Sequence, residues 1–189
     1  VHKIQKDFLW SQCCLFVGLI ACIILRPRGL GANNGISYYG THLNTLPFYV
    51  TALSGSTLIG FQTSQKLMID KYKNFKIFFE ALFFLALALI LFPYNFNNLY
   101  SLIHQSIGTI IFLLQGIFSL YIIMKIKRDI VNIILFVLEI IGGLIAAYYL
   151  LPAQGFLIQG QILFQLAFGI IMIKNSIYLT NRTQVNNSF

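Results

Sequence analysis

A chain of 189 residues that is 58% hydrophobic and only 10% charged, with a mean hydropathy of +0.78, lies far from the roughly 45–50% apolar, about 25% charged mix of soluble domains, which excludes a soluble globular fold. The net charge of +8 would suit nucleic acid, but no basic platform interleaved with aromatic residues accompanies it. Cys13 and Cys14 are adjacent and Cys22 follows within the same apolar run, which excludes a disulfide framework or a spaced metal site and leaves them as small buried hydrophobes.

The first apolar run, FLWSQCCLFVGLIACIIL at 8–25, follows Lys3 and Lys6 as the core of a signal peptide would. Its length and the lack of an A-x-A site after it predict a retained transmembrane helix instead. The segment RPRGLGANNGISYYGTHLN at 26–44 then interrupts the apolar pattern. Its Gly and Asn residues suit turns with positive φ, and its tyrosines suit a membrane interface. A second span is predicted at 47–66, with Ala52, Ser56 and Gly60 at the four-residue spacing of a helix-packing seam.

Further spans are predicted at 76–93, 101–124, 130–151 and 156–179, each matching the ~20 residues that cross a bilayer core. The fifth carries Gly142 with Ala146 and Gly143 with Ala147 in the same small-residue register. Pro47, Pro93 and Pro152 fall at helix ends, where a missing N–H costs little. The expected fold is therefore all-α: a single six-transmembrane-helix bundle over 1–180 and a short polar tail over 181–189.

Charge sets the expected topology. Lys3, Lys6, Lys66, Lys71, Lys73, Lys76, Lys125, Lys127, Arg128, Lys174 and Arg182 fall on one side, and only Arg26 and Arg28 on the other. By the positive-inside rule both termini are cytoplasmic, with anionic headgroups attracted to the basic face. The abundance of Ile, Asn, Lys and Phe points to an AT-rich genome and a bacterial cytoplasmic membrane.

Four positions invite chemistry. Glu139 lies about ten residues into the fifth span, near the bilayer midplane at 1.5 Å per residue. Charged side chains there cost about 2.5–3.5 kcal/mol and usually face a bundle interior or a wet cavity. It reads either as a proton, cation or ligand site or as a neutral carboxyl bonded to a neighbouring helix, with Gln115, Gln165 and Gln62 as candidate partners. His104 opens the fourth span and His42 lies in the first loop, on the same side. Two histidines without a third ligand make no metal site, and no cofactor is expected. Ser37 could pair with either as nucleophile and base, but neither a G-x-S-x-G elbow nor an acidic third member is present. Glu80 is expected to pair with Lys76 at i,i+4 spacing, and Asp70 and Asp129 belong to the basic clusters.

Taken together, Asn34, Ile36, Ser37 and Gly40 in NGISYYG, Asn44, Pro47 and Phe48 opening the second span, and Phe92, Pro93, Ser101 and His104 around the fourth form a pattern that resembles the bacterial DUF998 family of six-helix membrane proteins, and more distantly the Frag1/DRAM/Sfk1 group. The resemblance spans about residues 8–125. The family pattern carries an acidic residue after the Ser, where this chain has Tyr38. The resemblance implies a fold and topology rather than an activity, and a site of Asn34, Ser37, Gly40, Asn44 and His104 at the outer face. Arg26, Arg28 and Tyr38 beside it would hold a lipid phosphate or anionic headgroup.

Three functional readings follow. The first is a protein that binds a lipid, another membrane protein or a second copy of itself at this outer pocket. The second is a lipid-modifying enzyme using His104 there, and the third a small-solute or proton transporter using Glu139.

Overall fold

The computed structural model describes the backbone of residues 2–31, 35–66, 73–148 and 156–185 and the side chains of 3–31, 35–66, 74–147 and 156–176. Asn34, Asp70, Pro152 and the last four residues of the predicted tail lie outside these ranges. Among the described residues there are six α-helices, α1 (His2–Leu25), α2 (Leu46–Gln65), α3 (Lys73–Leu91), α4 (Asn98–Lys125), α5 (Ile130–Tyr148) and α6 (Leu157–Val185), with two short 3-10 helices, η1 (Pro27–Leu30) and η2 (Ile36–Thr41), between α1 and α2. α1 starts several residues before its apolar run because Lys3, Lys6 and Asp7 continue the helix, Asp7 accepting from Lys66 Nζ at 2.8 Å. α6 likewise runs on into the predicted tail, to Val185.

Five of the helices, α1, α3, α4, α5 and α6, are long and apolar enough to cross a membrane. They make this a multi-pass membrane protein. Large apolar side chains such as Val17, Ile24, Phe84, Leu113, Ile117 and Leu144 are exposed, which only a lipid surround makes favourable. α2 falls short of that apolarity because it carries a run of Ser, Thr and Gln. Several of its hydroxyls turn back on the helix itself: Ser54 donates to Val50 O, Thr57 to Leu53 O and Thr63 to Ile59 O. Those groups are thereby satisfied without water.

Helix ends are set by local chemistry. Asn97 caps α4, its Oδ1 accepting from Tyr100 N at 2.8 Å, and Asp129 does the same for α5 through Asn132 N at 2.8 Å. Pro47 sits in the first turn of α2, where no intrahelical N–H is lost.

α6 packs against α1, α4 and α5, and α2 sits between α1 and α3. Two small-residue seams allow close approach. On α2, Ala52 meets Gly18 of α1, where a Cβ would come within 2.5 Å of the Ala52 Cβ, and Ser56 accepts through its carbonyl from Ser11 Oγ at 2.8 Å. On α5, Gly142 and Ala146 meet Gly160 of α6 backbone to backbone: a Cβ on Gly142 would lie 2.6 Å from Phe164 N, and one on Gly160 2.5 Å from Ala146 N. Gly143 makes only ordinary contact with Phe164 and Ala147 is exposed, so the seam uses one of the two predicted pairs.

Buried side chains form two clusters. A Phe-rich one, Phe75, Phe78, Phe79, Phe118 and Phe168 with Phe8, fills the half toward the basic connections, Phe78 and Phe118 stacking at 3.8 Å. The other, Leu19, Cys22, Tyr39, Tyr49 and Ile158, fills the opposite half beneath the η1–η2 segment. These halves are called the basic end and the loop end below.

Candidate functional site

η1 and η2 are each held against the bundle. Ile36 N donates to Gln161 Oε1 at 2.8 Å and Gln159 Nε2 to Leu30 O at 3.2 Å, tying them to α6. Thr45 Oγ1 donates to Tyr39 O at 2.6 Å, tying η2 to the start of α2. The glycines serve close approach, not positive φ: among the described residues no glycine has a positive φ, and Asn95 alone of the other residues does, at 64°. A Cβ on Gly29 would strike the Tyr39 ring at 2.5 Å, and one on Gly40 the Tyr49 ring at 2.8 Å. Tyr39 is completely buried, and burial pushes its phenol up to about 12.

Ser37 and His104 are brought together by this folding. The His104 ring is buried, its Nε2 2.6 Å from Ser37 Oγ and its Nδ1 2.7 Å from the carbonyl oxygen of Phe92, at the end of α3. A carbonyl only accepts, so Nδ1 carries the proton. In the neutral ring Nε2 is then the acceptor for the Ser37 hydroxyl. The chain of donors runs Ser37 O–H to His104 Nε2, and His104 Nδ1–H to Phe92 O. The sequence offered no acidic third member for a serine–histidine pair; a main-chain carbonyl occupies that place. Hydrophobic spacing cannot reveal such a partner, since it depends on where α3 ends relative to α4.

Both residues line a cleft of about 20 Å³ between the segment, α2, α3 and α4, room for a water molecule. Its polar lining is Ser37, Tyr49, Tyr94 and His104, with Gly40 beside them; its apolar lining is Leu46, Val50, Leu89, Ile90 and Pro93. The Tyr49 hydroxyl interacts with Ser37, and the Tyr94 ring lies 6.0 Å from the imidazole. Of the residues expected here, Ser37, Gly40 and His104 line the cleft. Arg26 and Tyr38 form a neighbouring unit: Arg26 Nε donates to Tyr38 Oη at 2.8 Å, its guanidinium carbon lies 5.6 Å from the Tyr38 ring centre, and the ring packs at 4.5 Å on His42. Arg28 and Asn44 are exposed. Tyr49 and Tyr94 were not anticipated, because tyrosine at a helix end reads first as an interfacial anchor.

Glu139 is fully buried, and neither carboxyl oxygen has a hydrogen-bond partner. The expected amide partners are otherwise engaged. Gln115 and Gln165 hold each other in a reciprocal pair at 3.2 and 2.8 Å, and Gln62 is exposed. The polar neighbour is instead Ser119, one turn beyond Gln115 on α4, whose own hydroxyl is buried without a hydrogen bond. Glu80 also differs from expectation, accepting from Gln65 Nε2 at 3.1 Å rather than pairing with Lys76.

At the basic end, Lys174 Nζ donates to both Asp129 oxygens at 2.6 and 2.7 Å and to Asn132 Oδ1 at 3.1 Å. Asn132 and Asn175 exchange amide hydrogen bonds at 3.0 Å. The Lys174 ammonium, followed by the Asn132 N–H, holds the Asp129 carboxyl below its usual range. Among the described residues no three of His, Cys, Asp and Glu converge as a metal site would require. No family model, no curated protein and no solved structure matches the chain.

Proposed function

We propose that this is a six-span membrane protein, both termini cytoplasmic, that binds a lipid headgroup at its outer face through the cleft between the η1–η2 segment and α4. The hydrogen bond from Ser37 to His104 carries the reading, because it ties a polar segment to a membrane helix around a cleft lined by both polar and apolar side chains. A lipid headgroup joined to its chains combines the same two characters. Arg26 and Arg28, the only cations expected at this end, add attraction for an anionic headgroup. Membership of the DUF998 group belongs to the same proposal: Ser37, Gly40, Pro93 and His104, four residues of that motif pattern, all line the cleft.

The sixth crossing is α2. Its 20 residues span ~30 Å at 1.5 Å per residue, and its turned-back hydroxyls meet the requirement that polar groups in lipid be satisfied internally. The distribution of lysines and arginines supports the orientation. Reporter fusions after Tyr38 and after Lys127 test it, active periplasmic reporter at the first and none at the second being expected. The lipid reading is tested by native mass spectrometry of protein extracted in mild detergent. A co-purifying phosphatidylglycerol is expected, reduced at least tenfold when Arg26 and Arg28 become Gln; a lipid-free protein of equal stability would end this reading.

Glu139 favours a second reading, as the ion-carrying group of a transporter, because a wholly buried carboxyl without a hydrogen bond costs stability and ionisable residues within membrane helices mark ion pathways. Proton flux into proteoliposomes that is abolished by Glu139→Gln is the expected result on that reading, and unchanged flux in the variant removes it.

A further inference from the structure

We propose that Ser37 is a nucleophile and His104 its general base, and that the bond attacked is the carboxylic ester linking an acyl chain to a membrane glycerolipid. The inference rests on the lipid-binding reading and deepens it from recognition to acyl transfer.

Three observations carry it. The Ser37 Oγ to His104 Nε2 distance of 2.6 Å is within direct proton-transfer reach. The Phe92 carbonyl at 2.7 Å from Nδ1 selects the tautomer whose free nitrogen faces the serine, the task an acidic third member performs in other hydrolytic sites. The cleft also carries both kinds of lining that an ester in a bilayer requires. Apolar Leu46 and Val50 of α2 and Leu89 and Ile90 of α3 line it together with the hydroxyl-bearing residues and would receive the acyl chain, and the ester of a glycerolipid lies at the depth of helix ends. With room only for a water-sized group in the closed cleft, the ester enters by displacing a lining side chain, and water afterwards has a place to stand.

The chemistry balances without a metal or redox partner. His104 Nε2 takes the Ser37 hydroxyl proton as Oγ forms a bond to the ester carbonyl carbon. The oxyanion so formed accepts a hydrogen bond from Tyr49, whose hydroxyl interacts with Ser37. The carbon to alkoxy-oxygen bond then breaks, and Nε2–H protonates the departing glycerol hydroxyl. Water attacks the acyl-Ser37 ester, giving its proton to Nε2. The Oγ–carbon bond breaks, the proton returns to Oγ, and a fatty acid leaves. An alcohol in place of water would complete a transfer instead.

The test uses the full chain in nanodiscs of phosphatidylglycerol and phosphatidylethanolamine with a long-chain alkyl fluorophosphonate as probe. A single adduct mapping by mass spectrometry to the peptide containing Ser37 is expected, absent in Ser37→Ala. Labelling should slow at least 100-fold in His104→Gln, as loss of a general base does. Fatty acid release from the nanodisc lipid should disappear in the same two variants. Folded wild-type protein that takes no label, or takes it at another serine, overturns the inference whatever the variants do. If such protein still retains phosphatidylglycerol, the lipid-binding reading stands and only the acyl-transfer step is lost; if retention is absent too, both fall.

Discussion

The loop end and the middle of the helix bundle treat a buried titratable side chain in opposite ways. His104 has a partner on each ring nitrogen, one of them a backbone carbonyl fixed by the end of α3. Glu139, no less buried, has a hydrogen bond on neither oxygen and only the unpaired Ser119 hydroxyl nearby. The first arrangement positions one ring in one tautomer; the second leaves a buried polar group that costs stability. A fully bonded histidine is suited to directing chemistry at a fixed point, and an unbonded carboxyl to taking up and releasing a small cation.

The largest expected effect comes from breaking the bonded site. His104→Ala leaves Ser37 Oγ and Phe92 O without their partner and opens a hole beside the cleft, costing about 2–4 kcal/mol, measurable as a lowered unfolding midpoint in detergent. A loss under about 1 kcal/mol would mean the contrast with Glu139 is overdrawn. Glu139→Leu should move stability the other way, a gain of about 1–3 kcal/mol in the same assay, since an unpaired buried polar group is replaced by an apolar one of similar volume. Destabilisation there would reveal a partner for the carboxyl.

The Gln115–Gln165 pair, bonded at about the same depth, is the control between these extremes. A double-mutant cycle with Leu at both positions should give a coupling of about 0.6–1.7 kcal/mol, the range of interhelical hydrogen bonds in membranes. The smallest effect is expected at the basic end. Asp129 is held below its ordinary value by Lys174, so its contribution is full above pH ~4 and is lost as pH falls through the lowered value. In Lys174→Met the decline below pH ~4 should be shallower and end at a higher pH, read from stability against pH between 2 and 7.

Much of the frame was legible in the sequence because lipid imposes a simple rule. Apolar runs of about 20 residues separated by charged or Gly and Asn-rich connections leave few folds available, and every predicted span has its helix to within several residues. Small-residue spacing likewise marked contact faces on α2 and α5 without naming the helices they meet; Ala52 meets Gly18 of α1 and Gly142 meets Gly160 of α6, while Gly60 faces Phe79 of α3. The partners were not legible. Gln115 and Gln165 were expected to serve Glu139, yet they bond each other, because α4 and α6 place them face to face while Glu139 of α5 meets Ser119 instead.

Composition and the length of the apolar runs alone determined that this chain is helical and lives in a membrane, because burying peptide groups in hydrocarbon allows little else. Tertiary structure decided that Ser37 meets His104 across 67 residues of sequence and that Phe92 supplies the acceptor behind it. Such contacts depend on the rotation and depth of each helix, and those are set by side-chain packing and the ends of neighbouring helices rather than by any pattern within one segment.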